Sequence, residues 1–151
     1  PSADGQGISI AVEGSPANVY GVKRLLYEIV YNLCDNAIKF SYDGGCLRIS
    51  VKYAENKKVR ISVFNEGEGI PLEDQPYIFE RFYKSDRSRG KDKTGVGLGM
   101  FIAKTIIKAH GEDITLKSEP GKNCEFVFTL PRAQAPEKHG AQQKRTGDGN
   151  V

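Results

Sequence analysis

Across residues 26–40 the apolar side chains of Leu26, Ile29, Val30, Leu33, Ala37 and Phe40 recur at helical spacing, within about 100° of arc. A helix with that pattern has to lie on a core. Asn32, Asn36 and Lys39 interrupt it at i, i+4 and i+7, so they share one face. That face runs directly beside the apolar arc rather than opposite it. A polar stripe at the edge of a core lines something. Amide oxygens suit a hard cation such as Mg²⁺, and a lysine suits phosphate.

A chain of 151 residues can bury a real core as one domain. No apolar run approaches a membrane span and no signal peptide begins the chain, while residues 1–7 read as a polar lead-in cut from something longer. Cys34, Cys46 and Cys124 lack metal-ligand spacing, which points to a reduced, cytosolic setting. The net charge is +3, yet residues 81–93 alone hold Arg81, Lys84, Arg87, Arg89, Lys91 and Lys93 against Asp86 and Asp92. That loop carries +4 and the rest of the chain sums to −1. Charge gathered in one loop is not the stripe that tracks a nucleic acid.

Residues 7–12 alternate Ile8, Ile10 and Val12 inward as a short strand. Ser15-Pro16 supplies a capping hydroxyl followed by proline, so the helix is expected to run from there to about Phe40. Leu47, Ile49, Val51 and Tyr53 pair against Val59, Ile61 and Val63 across the polar turn Glu55-Asn56-Lys57. Residues 65–95 are rich in glycine, proline and charge, with one short helical candidate at 75–82, and are too long for an idle connection. A second helix is expected over 97–110, then a hairpin of 113–119 and 124–130 around Pro120-Gly121-Lys122. Residues 132–151 read as a disordered tail. The sum is an α/β two-layer sandwich, helices covering one face of a mixed, largely antiparallel sheet.

Two glycine motifs punctuate this plan. Asn65-Glu66-Gly67-Glu68-Gly69-Ile70-Pro71 follows a strand, where glycines allow close backbone approach. Thr94-Gly95-Val96-Gly97-Leu98-Gly99 opens the second helix, whose N-terminus favours anions. It is neither a Walker loop nor a Rossmann turn. Taken in order with the asparagine-bearing helix and Ile78-Phe79-Glu80-Arg81-Phe82-Tyr83-Lys84, these motifs resemble the catalytic ATP-binding domain of sensor histidine kinases. That family shares a superfamily and a Bergerat-type fold with gyrases, mismatch-repair MutL and the heat-shock chaperones. The resemblance covers residues 8–131, with a lid at about 80–95. The phrases at 32–39 and 79–83 look like the phosphate-regulon sensor branch.

The resemblance implies that Asn36 is the principal Mg²⁺ ligand, with Asn32 assisting in the metal and triphosphate shell. It places Lys39 on phosphate and Phe40 near the base or ribose. Asn65 would accept from the adenine amine, and Gly67, Gly69 and Ile70 would shape the adenine pocket. Thr94 and the amides of Gly95, Val96, Gly97, Leu98 and Gly99 would cradle the phosphates. Phe82 and Tyr83 would anchor the lid over the nucleotide, and Lys84 would reach the γ-phosphate. Asn32, Lys39 and Lys84 are thus the catalytic set, with ATP and Mg²⁺ as cofactors. The phosphoacceptor histidine would come from a separate dimerisation domain, and a response regulator would act downstream. This piece would be a cytoplasmic, monomeric part of a membrane-anchored, homodimeric kinase. No nucleic-acid partner is implied.

Two alternatives stay open. A gyrase-like ATPase places a glutamate four residues before the metal-binding asparagine, where this chain has Asn32, and Glu28 lies about 6 Å further back along the axis. A degenerate regulatory domain would bind nucleotide weakly; its support is Asn65, a neutral amide where the family most often has aspartate. Glu66 and Glu68 are expected to face solvent. His110, ending a helix before Gly111, reads as structural, and His139 lies in the tail.

Overall fold

The computed structural model describes residues 7–83 and 98–134. Five strands form one sheet in the order β1-β2-β3-β5-β4: β1 (Ser9–Gly14), β2 (Cys46–Ala54), β3 (Lys58–Glu66), β4 (Ile114–Glu119) and β5 (Asn123–Pro131). β1 runs parallel to β2, and every other pair is antiparallel. Helices α1 (Lys23–Phe40) and α2 (Gly99–Ala109) pack on each other and cover one face. This is the two-layer α/β sandwich expected from the pattern.

Period-two alternation explains which strand residues meet the helices. Leu47 on β2, Val59, Ile61 and Val63 on β3, and Cys124, Phe126, Phe128 and Leu130 on β5 are all buried. Ile29, Leu33 and Ala37 of α1 and Ala103, Ile106 and Ile107 of α2 close over them. The β2–β3 turn takes positive φ at Asn56 (60°) and Lys57 (56°), the left-handed geometry that suits a tight hairpin. Among the described residues, no helix is long and apolar enough to cross a membrane.

Four expectations are corrected. α1 begins at Lys23, not at Ser15-Pro16, because residues 18–20 lie extended along the end of β5. Tyr20 N–H donates to Pro131 O (2.9 Å) and Ala133 N–H to Asn18 O (2.8 Å), so sheet-like bonds take the groups a helix would need. The same bonds, with the Val19–Arg132 bridge, draw residues 132–134 into the fold rather than leaving them as tail. Residues 135–151, including His139, lie outside the described residues. Val12 is 73% exposed instead of inward, near the end of an edge strand. The helical candidate at 75–82 is a single 3₁₀ turn, Gln75–Tyr77, and Phe82 at φ 64° is incompatible with helical continuation.

Candidate functional site

The C-terminal half of α1 carries the polar stripe. Leu33 and Ala37 are buried against the sheet, and Asn32, Asn36 and Lys39 sit half-buried at the rim, as the spacing required. Lys39 Nζ lies 3.0 Å from Asp35 Oδ2, an i,i+4 pair with both side chains partly exposed. A pair of this kind contributes only about 0.3–0.5 kcal/mol. The sequence signal for this pair is the acidic-then-basic spacing of four between Asp35 and Lys39 on one helix.

The first glycine motif docks on the end of that helix. A Cβ on Gly67 would stand 2.0 Å from Phe40 O and 2.8 Å from Asn65 Nδ2. Ser41 bridges Gly67, and Ser41 Oγ donates to Ala37 O (2.6 Å). Gly69 takes φ 68°, and a Cβ there would meet Glu119 O at 2.7 Å and Asn123 O at 2.9 Å. Both glycines are therefore demanded by protein backbone against protein backbone. Ile70 is buried; its N–H donates to Ser118 Oγ (2.9 Å), which donates to Asn123 O (2.8 Å). Gln75 Nε2 donates to Ile70 O (2.9 Å), so the motif is pinned to the β4–β5 hairpin.

Asn65 continues the inward series Val59, Ile61, Val63 on β3 and is 3% exposed. Its backbone faces Leu47 on one side and Cys124 on the other. Its buried Nδ2 makes no hydrogen bond to any described residue. The odd-numbered alternation on β3 is the sequence signal for this placement. Of the two acidic neighbours, Glu66 is exposed and accepts from Cys46 N–H (2.9 Å), whereas Glu68 is half-buried rather than solvent-facing.

The second glycine motif meets the stripe from the other side. A Cβ on Gly99 would lie 3.4 Å from Asn32 Oδ1, so the first residue of α2 abuts the amide of α1. Leu98 occupies the N-cap and makes no side-chain cap bond. The structure thus brings Asn32 beside Gly99, and Phe40 and Asn65 beside Gly67. Lys84, Thr94, Gly95, Val96 and Gly97 lie outside the described residues, as do Arg87, Arg89, Lys91 and Lys93.

The segment after Ile70 is anchored by aromatic contacts. Phe79 meets Phe126 edge-on at 5.8 Å and lies 5.0 Å below Lys104 Nζ, and Arg81 stacks at 4.7 Å over Phe101. Tyr83 hydrogen-bonds Asp74 through its hydroxyl, with its ring 5.9 Å from Tyr77. Phe82, in contrast, is 63% exposed. His110 is structural: its Nδ1 is 2.8 Å from Ile106 O, and its Nε2 accepts Val22 N–H at 3.2 Å. One tautomer satisfies both bonds. Burial raises the Cys34 thiol, and burial followed by the charge of Glu125 pushes Cys124 up to about 12, so neither is poised as a nucleophile.

Over residues 21–134 the chain matches the family model described as histidine kinase-, DNA gyrase B- and HSP90-like ATPase. It is 40% identical over 113 residues to the adaptive-response sensory kinase SasA of Crocosphaera subtropica, covering 75% of this chain and 29% of that protein. The chain therefore spans less than a third of that relative. The mycobacterial sensor histidine kinase MprB superposes with a TM-score of 0.73 at 27% identity, covering 84% of this chain and 86% of that one. ShkA, solved at full length with AMPPNP, superposes with a TM-score of 0.73 at 28% identity, covering 87% of this chain and 27% of that one.

Proposed function

The chain belongs to the family of histidine kinase-, DNA gyrase B- and HSP90-like ATPases, and from that premise we propose that it is the half of a sensor histidine kinase that binds Mg-ATP and donates the γ-phosphoryl group. The receiving histidine would sit on a separate dimerisation domain of the same kinase, with a response regulator acting after it. The whole enzyme would be a membrane-anchored homodimer with this domain in the cytoplasm.

The observation that carries this reading is the apposition of Asn32 to Gly99. It joins the amide stripe of α1 to the start of α2, two separate sequence motifs, in one polar wall. A helix start whose N-cap residue offers no side-chain acceptor suits an anion. Asn36 and Asn32 would hold Mg²⁺ through their amide oxygens, an oxygen donor set that fits a hard cation. Lys39, shared with Asp35, and the residues opening α2 would neutralise the phosphates. Phe40, Gly67, Gly69 and Ile70 would border the adenine, and the buried amide of Asn65 would bond its exocyclic amine. Phe82, Tyr83 and Lys84 would act from the lid, with Thr94, Gly95, Val96, Gly97 and Leu98 completing the phosphate cradle. The bound nucleotide supplies the transferable group; the protein orients it and stabilises charge.

Hydrolysis is the competing chemistry. Asn32 stands where an ATPase of the gyrase type needs a carboxylate, and an amide takes no proton from water. The test is to titrate ATP with and without Mg²⁺, then add a cognate dimerisation domain and measure acid-labile phosphate on it. Mg²⁺-dependent binding with transfer and negligible steady-state hydrolysis is expected. Robust hydrolysis favours the ATPase, and no binding at millimolar nucleotide favours a degenerate regulatory domain.

A further inference from the structure

Asn65 poses a question that its neighbours on β3 do not. It is a polar residue in an inward series of valines and isoleucine, 3% exposed, held by the ladder between Leu47 and Cys124. Because both flanking strands fix its backbone, the side chain cannot leave the interior by a local shift. Its Nδ2 is buried, and no described residue accepts from it. Nearly all buried polar side chains are paired in folded proteins, so a buried amide end without a protein acceptor points to a ligand. A Cβ on Gly67 would stand 2.8 Å from that same nitrogen and 2.0 Å from Phe40 O, so only glycine fits beside the amide.

An amide differs from a carboxylate in one respect that matters here. Ionised aspartate only accepts hydrogen bonds, whereas asparagine presents an acceptor and a donor side by side. Rotation about the terminal torsion exchanges the two ends within almost the same volume. A purine offers a matching pair of positions. Adenine has a donor amine at position 6 beside an acceptor at N1; a 6-oxopurine has an acceptor oxygen beside a donor N1–H. One orientation of an amide complements the first pair, and the flipped orientation complements the second. A carboxylate facing position 6 accepts from the amine and is repelled by a 6-oxo oxygen there, and it has no donor with which to adapt.

We propose that Asn65 lets the base pocket of this chain take 6-oxopurine nucleotides as readily as adenine nucleotides. This rests on the nucleotide-binding reading given above. Asn65 is then a specificity residue, and its amide broadens the choice of phosphoryl donor.

Inosine triphosphate is the clean probe, since it differs from ATP only at position 6 and N1. Binding of Mg-ATP and Mg-ITP to the full 151-residue chain is compared by titration calorimetry. The two affinities should agree within about tenfold, whereas preserving one hydrogen-bond pattern and losing the other separates ligands by about tenfold to a hundredfold. In Asn65→Asp the ratio of ATP to ITP affinity should rise by at least about tenfold. A wild-type preference for ATP beyond tenfold overturns the inference while leaving the nucleotide-binding reading intact. An unchanged ratio in a folded Asn65→Asp also overturns it, because another group then reads position 6. If neither nucleotide binds, the underlying reading fails and this one with it. Should Asn65→Asp not fold, the wild-type ratio alone decides.

Discussion

The two halves of α1 are built to different standards. Its N-terminal half borders a partly open apolar pocket of about 160 Å³ lined by Ala17, Val19, Leu26, Val30, Val51 and Phe128 among others. There the helix starts on Val22 with no side-chain cap, and Tyr27 and Tyr31 stand more than 60% exposed. The C-terminal half is closed where Phe40 O leaves no room for a Cβ on Gly67, and at Gly99 a Cβ would meet Asn32 at ordinary contact distance. One half tolerates change because loose packing can absorb it. The other is fitted to two glycine motifs from distant parts of the chain. The polar stripe lies wholly in the fitted half.

The strongest way to break that contrast is Gly67→Ala. With a carbonyl 2.0 Å from the new carbon, about 3 kcal/mol or more of stability should be lost, read by urea unfolding. A loss below 1 kcal/mol would mean that the C-terminal half is as yielding as the other. Asn36→Ala should lower Mg-ATP affinity by about tenfold or more while leaving the midpoint of unfolding nearly unchanged. Equal loss of fold and binding would reassign Asn36 to packing. His110→Ala removes the acceptor of Val22 N–H and the bond to Ile106 O and should cost about 1–2 kcal/mol, with nucleotide affinity retained, since Val22 starts α1 at the end away from the polar stripe. Val22→Asp should do the reverse, adding about 1 kcal/mol by capping a start that lacks one. If it destabilises, the half is less permissive than its packing suggests.

A smaller effect tests the support of the whole sheet by pH. The side chain of Glu112 is 8% exposed and joins Lys58 of β3 to Thr129 of β5. Burial raises its pKa, but the hydrogen bonds from Lys58 and Thr129 and the charge of Lys58 outweigh this and hold it below the usual value. Its contribution is therefore present above the unfolded pKa, about 4.3, and lost as pH falls through the lower folded one. Glu112→Gln should flatten the fall in stability between neutral pH and about pH 3; an unaltered slope would remove Glu112 from the account.

Much of this was legible because it is periodic. Helical spacing at 26–40 anticipated the burial of Ile29, Leu33 and Ala37, and period-two alternation anticipated β2, β3 and β5 with their partners. Where non-local bonds compete, local signals misled. Ser15-Pro16 is a sound helix start, yet Pro131 and Ala133 bond residues 18–20 and delay the helix to Lys23. The turn at 75–77 stays short: Phe82 takes a positive φ, and Phe79 and Tyr83 beyond the turn reach Phe126 and Asp74. Gly67 and Gly69 were legible as glycines that permit close approach, but not as glycines approached by Phe40 O, Glu119 O and Asn123 O.

By itself, then, the sequence determined the layers, the strand alternation, the polar rim of α1 and the order of the motifs, since each rests on the repeat of a helix or strand. Only the tertiary structure decided which motifs touch: Asn32 with Gly99, Gly67 with Phe40, Asn65 buried between two strands. Those contacts join residues 18 to 67 positions apart on the chain, and no local periodicity encodes a distance between elements until the shared core has pulled them together.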